Sequence, residues 1–178
     1  MDEEDLEPPP RSHRATLPPG CRFYPSEELL LRYYLTNKNT ARNDTGNRNL
    51  NLNRVDDDDD DDFYGSDLIR ELDLYGYDPF ELPDTACFSY GYGGRKRHWY
   101  CYTVRVLKDG TRRRRVKSGF WVKKGRVRDV FGGGGAVLGR RTRFVFYVGN
   151  STRSAVRTDW TLYEYALVNH LLGVVFDD

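Results

Sequence analysis

The chain has 178 residues, enough for one domain with a hydrophobic core, and its 14% of aromatic residues excludes a wholly disordered protein. No apolar run approaches the roughly 18 residues of a membrane-spanning helix, which argues against an integral membrane protein. The net charge of +1 conceals a segregation, because residues 95–157 hold 19 of the 28 Lys and Arg residues but only 2 of the 27 Asp and Glu residues. Such an excess is typical of a surface that binds a polyanion.

The first predicted element is an acidic, proline-containing disordered tail over residues 1–16. Its opening, Met1-Asp-Glu-Glu-Asp, is negative where a secretory signal requires positive charge and an apolar stretch, so we expect an intracellular protein. The cysteines support this expectation, because they are odd in number and lack a C-x-x-C spacing. We therefore predict that three thiols are reduced: Cys21, Cys87 and Cys101.

A helix is predicted to begin near residue 25. Ser26 can cap it, and two carboxylates, Glu27 and Glu28, fall in the first turn, where the helix dipole favours them. We expect it to end before the Asn-rich stretch 37–53, because Asn side chains compete for backbone hydrogen bonds. Its apolar stripe is predicted to consist of Leu29, Leu30, Tyr33 and Tyr34.

Residues 39–65 are predicted to be a flexible insertion, because the seven aspartates Asp56–Asp62 repel one another. A solvated loop is one interpretation of this run, and folding back on the basic residues as a mimic of DNA is another. A second short helix is predicted from Ser66, ending before Pro79. Its inward-facing residues would be Leu68, Ile69 and Leu72.

From residue 97 onward apolar residues recur with period two, which predicts strands. Helices in the first half, followed by strands joined by short turns, predict an α+β domain with an antiparallel sheet. The turns are expected at residues 108–110, 132–135 and 149–151. The predicted strands are Arg97–Leu107, Phe120–Lys123, Arg143–Val148 and Thr158–Leu167.

The sequence offers no pattern for catalysis or metal binding. The histidines (His13, His98 and His170) lack metal-ligand spacing, and there is no nucleophile elbow, P-loop or dinucleotide fingerprint. His98 and Cys101 share a predicted strand, but no third group is available to orient them as base and nucleophile. We therefore predict no metal, no cofactor and no enzyme activity.

The basic segment of residues 112–128 gives the strongest functional signal. One interpretation is a solvated surface combined with a nuclear import signal. The other is a strand whose aromatic residues Phe120 and Trp121 point inward and whose basic residues point outward, which fits the major groove of DNA. Arginine outnumbers lysine here, which favours bidentate contacts to guanine and phosphate.

Several segments resemble the plant NAC transcription-factor domain, in the family's order. The family's LPPGFRFHPTDEEL is similar to Leu17-Pro-Pro-Gly-Cys-Arg-Phe-Tyr-Pro-Ser-Glu-Glu, and its D-L-Y and P-W-E-L-P are similar to Asp73-Leu-Tyr and Asp78-Pro-Phe-Glu-Leu-Pro83. The later segments that match are Trp99-Tyr100, Gly119-Phe-Trp121, Arg143-Phe-Val-Phe-Tyr147, Thr158-Asp-Trp160 and Glu164-Tyr165. Together they run from Leu17 to Leu167.

The resemblance implies a twisted antiparallel β-sheet packed between helical elements, with residues 17–170 as the DNA-binding domain and residues 171–178 as a short end. The family's groove-reading strand, W-K-A-T-G-x-D-K, corresponds to Trp121-Val-Lys-Lys-Gly-Arg-Val-Arg128. The partner implied is double-stranded DNA. The implied contact residues are Arg112, Arg113, Arg114, Arg115, Lys117, Trp121, Lys123, Lys124, Gly125, Arg126, Arg128, Arg141 and Arg143.

The family also dimerises, through its N-terminal arm and a salt bridge from an Arg of that arm to a Glu of the first helix. Arg22 matches the Arg, whereas Leu29 stands at the position of the Glu. A homodimer, or a heterodimer with related proteins, is therefore implied, weakened by about 0.2–1 kcal/mol for one lost surface pair. The interface residues implied are Leu17, Pro18, Pro19, Gly20, Arg22 and Leu29.

Two functions agree with these features. The leading hypothesis is a nuclear, sequence-specific transcription regulator that reads the major groove with the basic strand after Trp121. The alternative is a short protein-interaction module that dimerises with full-length family members and blocks them. It is favoured by the altered strand and by the chain ending 11 residues after Leu167, where family members usually continue into a regulatory region.

Overall fold

A computed structural model of the protein describes residues 17–40, 65, 68–90, 92–103, 113–168 and 174–177. The predicted tail, nearly all of the predicted insertion, the turn at residues 108–110 and Arg112 lie outside these residues. No helix in the described part of the chain is both long enough and apolar enough to cross a membrane.

The N-terminal helix starts as predicted, because the Ser26 side chain accepts a hydrogen bond of 3.1 Å from the Leu29 amide. It comprises α-helical Glu27–Leu29, π-helical Leu30–Leu35 and α-helical residues 36–40. The predicted end before residue 37 is wrong, because the helix continues through residues 36–40. The Thr36 and Thr40 hydroxyls donate hydrogen bonds to earlier backbone carbonyls, so these side chains are used within the helix.

The buried face of this helix is shifted by one residue from the predicted apolar stripe. Leu29 is 43% exposed, so its predicted inward position is wrong, and Tyr33 is only partly buried. The buried residues keep the i, i+4 spacing of one helix face, with Leu31 and Leu35 in place of Leu29 and Tyr33. The buried residues of the helix are Leu30, Leu31, Tyr34 and Leu35.

In the described residues, eight strands form one sheet in the order β1-β3-β8-β7-β6-β5-β4, and β2 pairs with β3. Every pair is antiparallel except the parallel pair of β1 and β3. Short 3₁₀ turns lie between the helix and β3. The strands are β1 Arg70–Glu71, β2 Cys87–Tyr90, β3 Lys96–Tyr102, β4 Arg113–Arg115, β5 Gly119–Phe131, β6 Val137–Val148, β7 Val156–Leu167 and β8 Val174–Asp177.

The strand predictions agree with β5, β6 and β7, which are longer than predicted, and with β3 as far as Tyr102. Residues 104–107 of that predicted strand lie outside the described residues. The second helix, predicted from Ser66, is wrong, because Arg70–Glu71 pairs with β3 as a strand. Helical elements are therefore minor, and the α+β class holds only broadly. β2, β4 and β8 were not predicted, since strands of three or four residues carry little period-two signal.

The two faces of the sheet are covered differently. One face, called here the helix face, packs against the N-terminal helix through a cluster that includes Leu31, Tyr34, Tyr100, Val130 and Tyr165. The opposite turn face packs against the 3₁₀ turns. Its buried cluster includes Leu74, Leu82, Ala86, Trp99, Cys101, Trp121, Phe144, Phe146 and Leu162.

Candidate nucleic-acid interface

The second half of β5 is an edge of the sheet. In the part of the chain that the structure describes, β4 pairs only with Phe120–Val122, so residues 123–131 have a hydrogen-bonded neighbour on one side alone, β6. An exposed edge strand can enter the groove of a duplex without first separating from a neighbour. Charged residues on such an edge also prevent pairing with other chains, which is a structural reason for some of them.

A bulge interrupts this edge. Lys124 lies opposite Arg143 and Arg128 opposite Arg141, which leaves the three residues 125–127 facing a single residue of β6. All three are exposed. Bulges bend a strand and redirect its side chains, so this one projects the middle of the basic segment from the sheet.

Gly125 begins the bulge with a φ of +72°, in the left-handed region that favours glycine. A Cβ placed on it would meet no atom within 4 Å. Any other residue here is therefore strained by its backbone and not by crowding within the domain. The open space beside Gly125 leaves its backbone accessible to a partner.

Four cations surround the bulge. Arg126 and Arg143 are exposed, while Lys123 and Lys124 are partly buried, with the Lys124 ammonium 5.0 Å from the centre of the Tyr147 ring. Among the described residues, no carboxylate forms an ion pair with any of these four cations. Their charges are thus available to phosphate oxygens or to base edges.

Trp121 points away from this surface. Its side chain is 1% exposed on the turn face, with its ring centre 5.1 Å from that of Phe146. It therefore fixes the start of the edge strand by packing and offers no surface to a partner. We remove it from the set of expected DNA contacts.

Arg114 also lies inside the domain. Its guanidinium makes an ion pair of 2.7 Å with Glu164, with the two side chains only 10% and 7% exposed, and it donates a hydrogen bond to the phenol oxygen of Tyr75. It stacks 4.5 Å from the centre of the Phe144 ring. A guanidinium enclosed in this way neutralises a buried carboxylate. Arg114 is therefore also removed from the expected DNA contacts.

Two basic residues that follow Arg114 in the chain remain at the surface. Arg115 is exposed and donates to the side-chain and backbone oxygens of Asn150 at 3.1 and 3.2 Å. Lys117 is exposed and pairs with Glu81 at 2.9 Å. Both cations lie near the start of β5, so they can reach phosphates beside a duplex seated on the edge strand.

The two remaining arginines of the expected set converge on one carboxylate. Arg128, Arg141 and Tyr165 lie opposite one another on β5, β6 and β7. Glu27 of the helix accepts from all three, at 2.6 Å from the Arg141 guanidinium and 3.0 Å from the Tyr165 hydroxyl. These four residues, the Glu27 cluster, join the helix to the sheet beside the bulge.

Burial alone would raise the pKa of Glu27, but the Tyr165 hydrogen bond and the charges of Arg141 and Arg128 lower it further than burial raises it. A carboxyl whose pKa is lowered by folding stabilises the fold above its unfolded pKa, and this contribution is lost as the pH falls through the folded pKa. The cluster therefore stabilises the domain at neutral pH and weakens below about pH 4.

Glu27→Gln is expected to destabilise the domain by about 1–3 kcal/mol at pH 7, since it removes charge from two ion pairs and keeps the shape of the side chain. The measurement is urea unfolding at pH 7 and at pH 3.5. The difference between variant and wild type should shrink at the lower pH. An equal difference at both values would contradict the assigned role of the carboxylate, and Glu28→Gln, which alters an exposed pair with Arg32, is the control.

The arm expected to mediate dimerisation lies next to the helix. Leu17 packs partly buried against the core cluster of the helix face, and residues 18–20 form an exposed turn closed by a 2.9 Å hydrogen bond from the Cys21 amide to the Pro18 carbonyl. Arg22 and Leu29 are both exposed. Neither side chain is required by the core, so both can be substituted without creating a cavity.

The strand that carries His98 and Cys101 separates them. They lie three residues apart on β3, and Cys101 belongs to the buried cluster of the turn face, whereas His98 contacts Tyr24 and Tyr100. Burial raises the pKa of Cys101 to about 12, which keeps the thiol protonated. Among the described residues, no group of three or more His, Cys, Asp or Glu side chains could hold a metal ion.

The carboxylates that hold Arg114, Arg128 and Arg141 were missed by sequence reasoning. Glu164 sits at an inward position of a strand with period-two alternation, and a buried carboxylate requires a cation. The inward position of Glu164 is visible in the sequence, but its partner is not, because Arg114 lies 50 positions away on β4. For Glu27, the helix dipole already explains a carboxylate in the first turn, so nothing in the sequence indicates a contact with the sheet.

Comparison with known proteins supports one family. Residues 18–167 match the family model described as No apical meristem (NAM) protein. The chain is 32% identical over 157 residues to Protein CUP-SHAPED COTYLEDON 3 of Arabidopsis thaliana, covering 86% of this chain and 39% of that relative. It is 32% identical over 154 residues to NAC domain-containing protein 2 of Solanum lycopersicum, covering 85% and 46%. The chain thus spans less than half the length of these relatives.

Proposed function

Because the chain belongs to the NAM family, with NAC domain-containing proteins among its relatives, we propose that it is a nuclear, sequence-specific transcription regulator that binds double-stranded DNA. The observation that carries this proposal is the bulged edge of β5 with its surrounding cations. A single exposed strand fits the major groove, which is about 12 Å wide.

Two kinds of contact are proposed. Lys123, two residues before Gly125, and Arg126, on the bulge, reach base edges, where a bidentate arginine or lysine favours guanine. The cations on either side bind phosphates, which set affinity and orientation and carry no sequence information. The phosphate contacts proposed are Arg115, Lys117, Lys124 and Arg143, while Arg112 and Arg113 stay in the set on the sequence alone.

Arg128 and Arg141 have a different role in this proposal. Their contacts with Glu27 hold the end of the bulge against the helix. The bulge is then presented in one conformation before DNA arrives, which lowers the entropy lost on binding. They are positioning residues more than direct contacts.

Selection of bound sequences from a random pool of DNA duplexes tests the proposed function. Enrichment of one motif supports a base-reading regulator. Recovery of no motif, together with capture of a full-length family member in a stable heterodimer, would favour the interaction module that blocks its relatives.

A dimer is part of the proposal, with the exposed arm and Leu29 at its interface. Leu29→Glu is expected to tighten self-association about two- to fivefold, because it restores a carboxylate opposite the partner's arginine. Leu29 is exposed, so the substitution removes no packing from the core. Analytical ultracentrifugation measures the change. Leu29→Gln provides the uncharged control, and adding Arg22→Ala should cancel the gain. A dimer unaffected by Leu29→Glu would contradict the assigned pairing.

A further inference from the structure

The tip of the hairpin between β2 and β3 is built to project from the domain. Tyr92 is 93% exposed, and the two glycines that follow it, Gly93 and Gly94, both have a φ of +65°. Two successive residues in the left-handed region reverse the chain sharply, which only glycine does without strain. An aromatic ring exposed to this extent contributes almost nothing to the core.

Three cations follow the glycines: Arg95, Lys96 and Arg97, all exposed. The guanidinium of Arg97 lies 5.1 Å from the centre of the Trp99 ring, and Trp99 in turn lies 5.1 Å from Trp160. Stacking on an indole fixes the plane of a guanidinium and leaves its N–H donors at the edge, pointing to solvent. Arg97 is thus prepared to bind an oxyanion with little loss of entropy.

The register of the sheet fixes where this tip lies relative to β5. His98 is level with Val122, through the paired residues Asp177, Thr161 and Val145. The tip is therefore at the end of the sheet where β5 starts, four strands away from it. At about 4.8 Å per strand the lateral separation is about 19 Å, and the bulge lies about four residues further along β5. The tip and the bulge are therefore about 25 Å apart, the length of roughly seven base pairs of DNA.

Further cations lie between the two. Arg157 of β7 is level with Tyr147, Phe120 and Arg115, in one row across the same end of the sheet. Arg153, in the turn before β7, is also exposed there. Among the described residues neither Arg153 nor Arg157 forms an ion pair. Positive charge thus extends from β5 toward the hairpin.

We propose that the hairpin tip, residues Tyr92–Arg97, is a second contact with DNA that binds backbone phosphates about seven base pairs from the bases facing the bulge of β5. This inference rests on the proposed function in taking duplex DNA as the partner. Arg95 and Arg97 supply the charge, and Tyr92 packs on the sugar-phosphate surface. Contacts of this kind add affinity without changing base preference.

The test compares the double variant Arg95→Ala/Arg97→Ala with wild type on two duplexes: the selected site alone, and the same site extended by ten base pairs on each side. We expect about tenfold weaker binding to the extended duplex, less than twofold loss on the short one, and a slope of log K against log salt reduced by about two. The control, Arg32→Ala/Arg70→Ala, removes two exposed charges elsewhere and should leave the length dependence unchanged.

Arg97→Lys keeps the charge but loses the stacked, bidentate geometry of the guanidinium. It should therefore weaken binding to the extended duplex by about half as much, in log K, as the double variant does. Equal losses on both duplexes, or no loss on either, would overturn the hairpin contact. The proposed function would fail separately, if wild type bound the selected and scrambled sites equally. A length-dependent loss on scrambled DNA would still support the hairpin contact in that case.

Discussion

Arg114→Ala is expected to destabilise the domain by about 3–5 kcal/mol, because it removes the cation that pairs with the buried carboxylate of Glu164. The substitution also removes the stacking of the guanidinium on Phe144. For a domain of this size the midpoint of thermal unfolding should fall by about 10 °C. Urea unfolding followed by tryptophan fluorescence measures the free energy directly.

Two further variants distinguish the loss of the Arg114–Glu164 ion pair from a general destabilisation caused by replacing an arginine. Arg115→Ala removes the neighbouring exposed arginine and should change stability by less than about 0.5 kcal/mol. The double variant Arg114→Met/Glu164→Leu removes both charges and should recover most of the loss, since apolar residues of similar size can replace a buried pair. If Arg114→Ala kept full stability but lost DNA binding, Arg114 would be a DNA contact and its buried role would be wrong.

The second large effect is expected on sequence discrimination. Lys123→Ala and Arg126→Ala should each relax base preference at one or two positions of the selected site, at about 1–3 kcal/mol for each lost bidentate contact. Binding to unrelated duplexes should change much less. The measurement is a binding titration against all single-base variants of the site, at one salt concentration.

Gly125→Val tests the same bulge through its backbone. A β-branched residue at a φ of +72° is strained, and its side chain occupies the open space where the duplex would approach. Specific binding should fall more than non-specific binding. Lys117→Ala is the matched control, because a phosphate contact should weaken both kinds of binding by the same factor.

The sequence was most informative where structure is local. Ser26 predicts the helix start, and the alternation along β5, β6 and β7 predicts three strands joined by turns, because capping and hairpins depend on residues close in the chain. The inward orientation of Arg114 depends instead on Glu164, in a different strand. Within this run of arginines, no signal in the sequence distinguishes the enclosed Arg114 from the exposed Arg115.

The bulge was similarly hidden. The glycine at position 125 indicates a break or close approach within a strand, but only the register against β6 shows that three residues face one. The exposure of Leu29 and the burial of Leu31 have no sequence signature either, because leucines occupy positions 29, 30 and 31 alike. In both places the outcome depends on how two elements dock, which a pattern read along one element cannot specify.

The specificity ratio of the edge strand tests the central claim most directly. The affinity for the selected site is divided by the affinity for a scrambled duplex at the same salt concentration, for wild type and for Lys123→Ala/Arg126→Ala. If β5 reads bases, the ratio should be high in wild type and fall at least tenfold in the double variant, while the scrambled-duplex affinity falls by a smaller factor. If both affinities fall by the same factor, the strand binds only phosphates and does not read sequence.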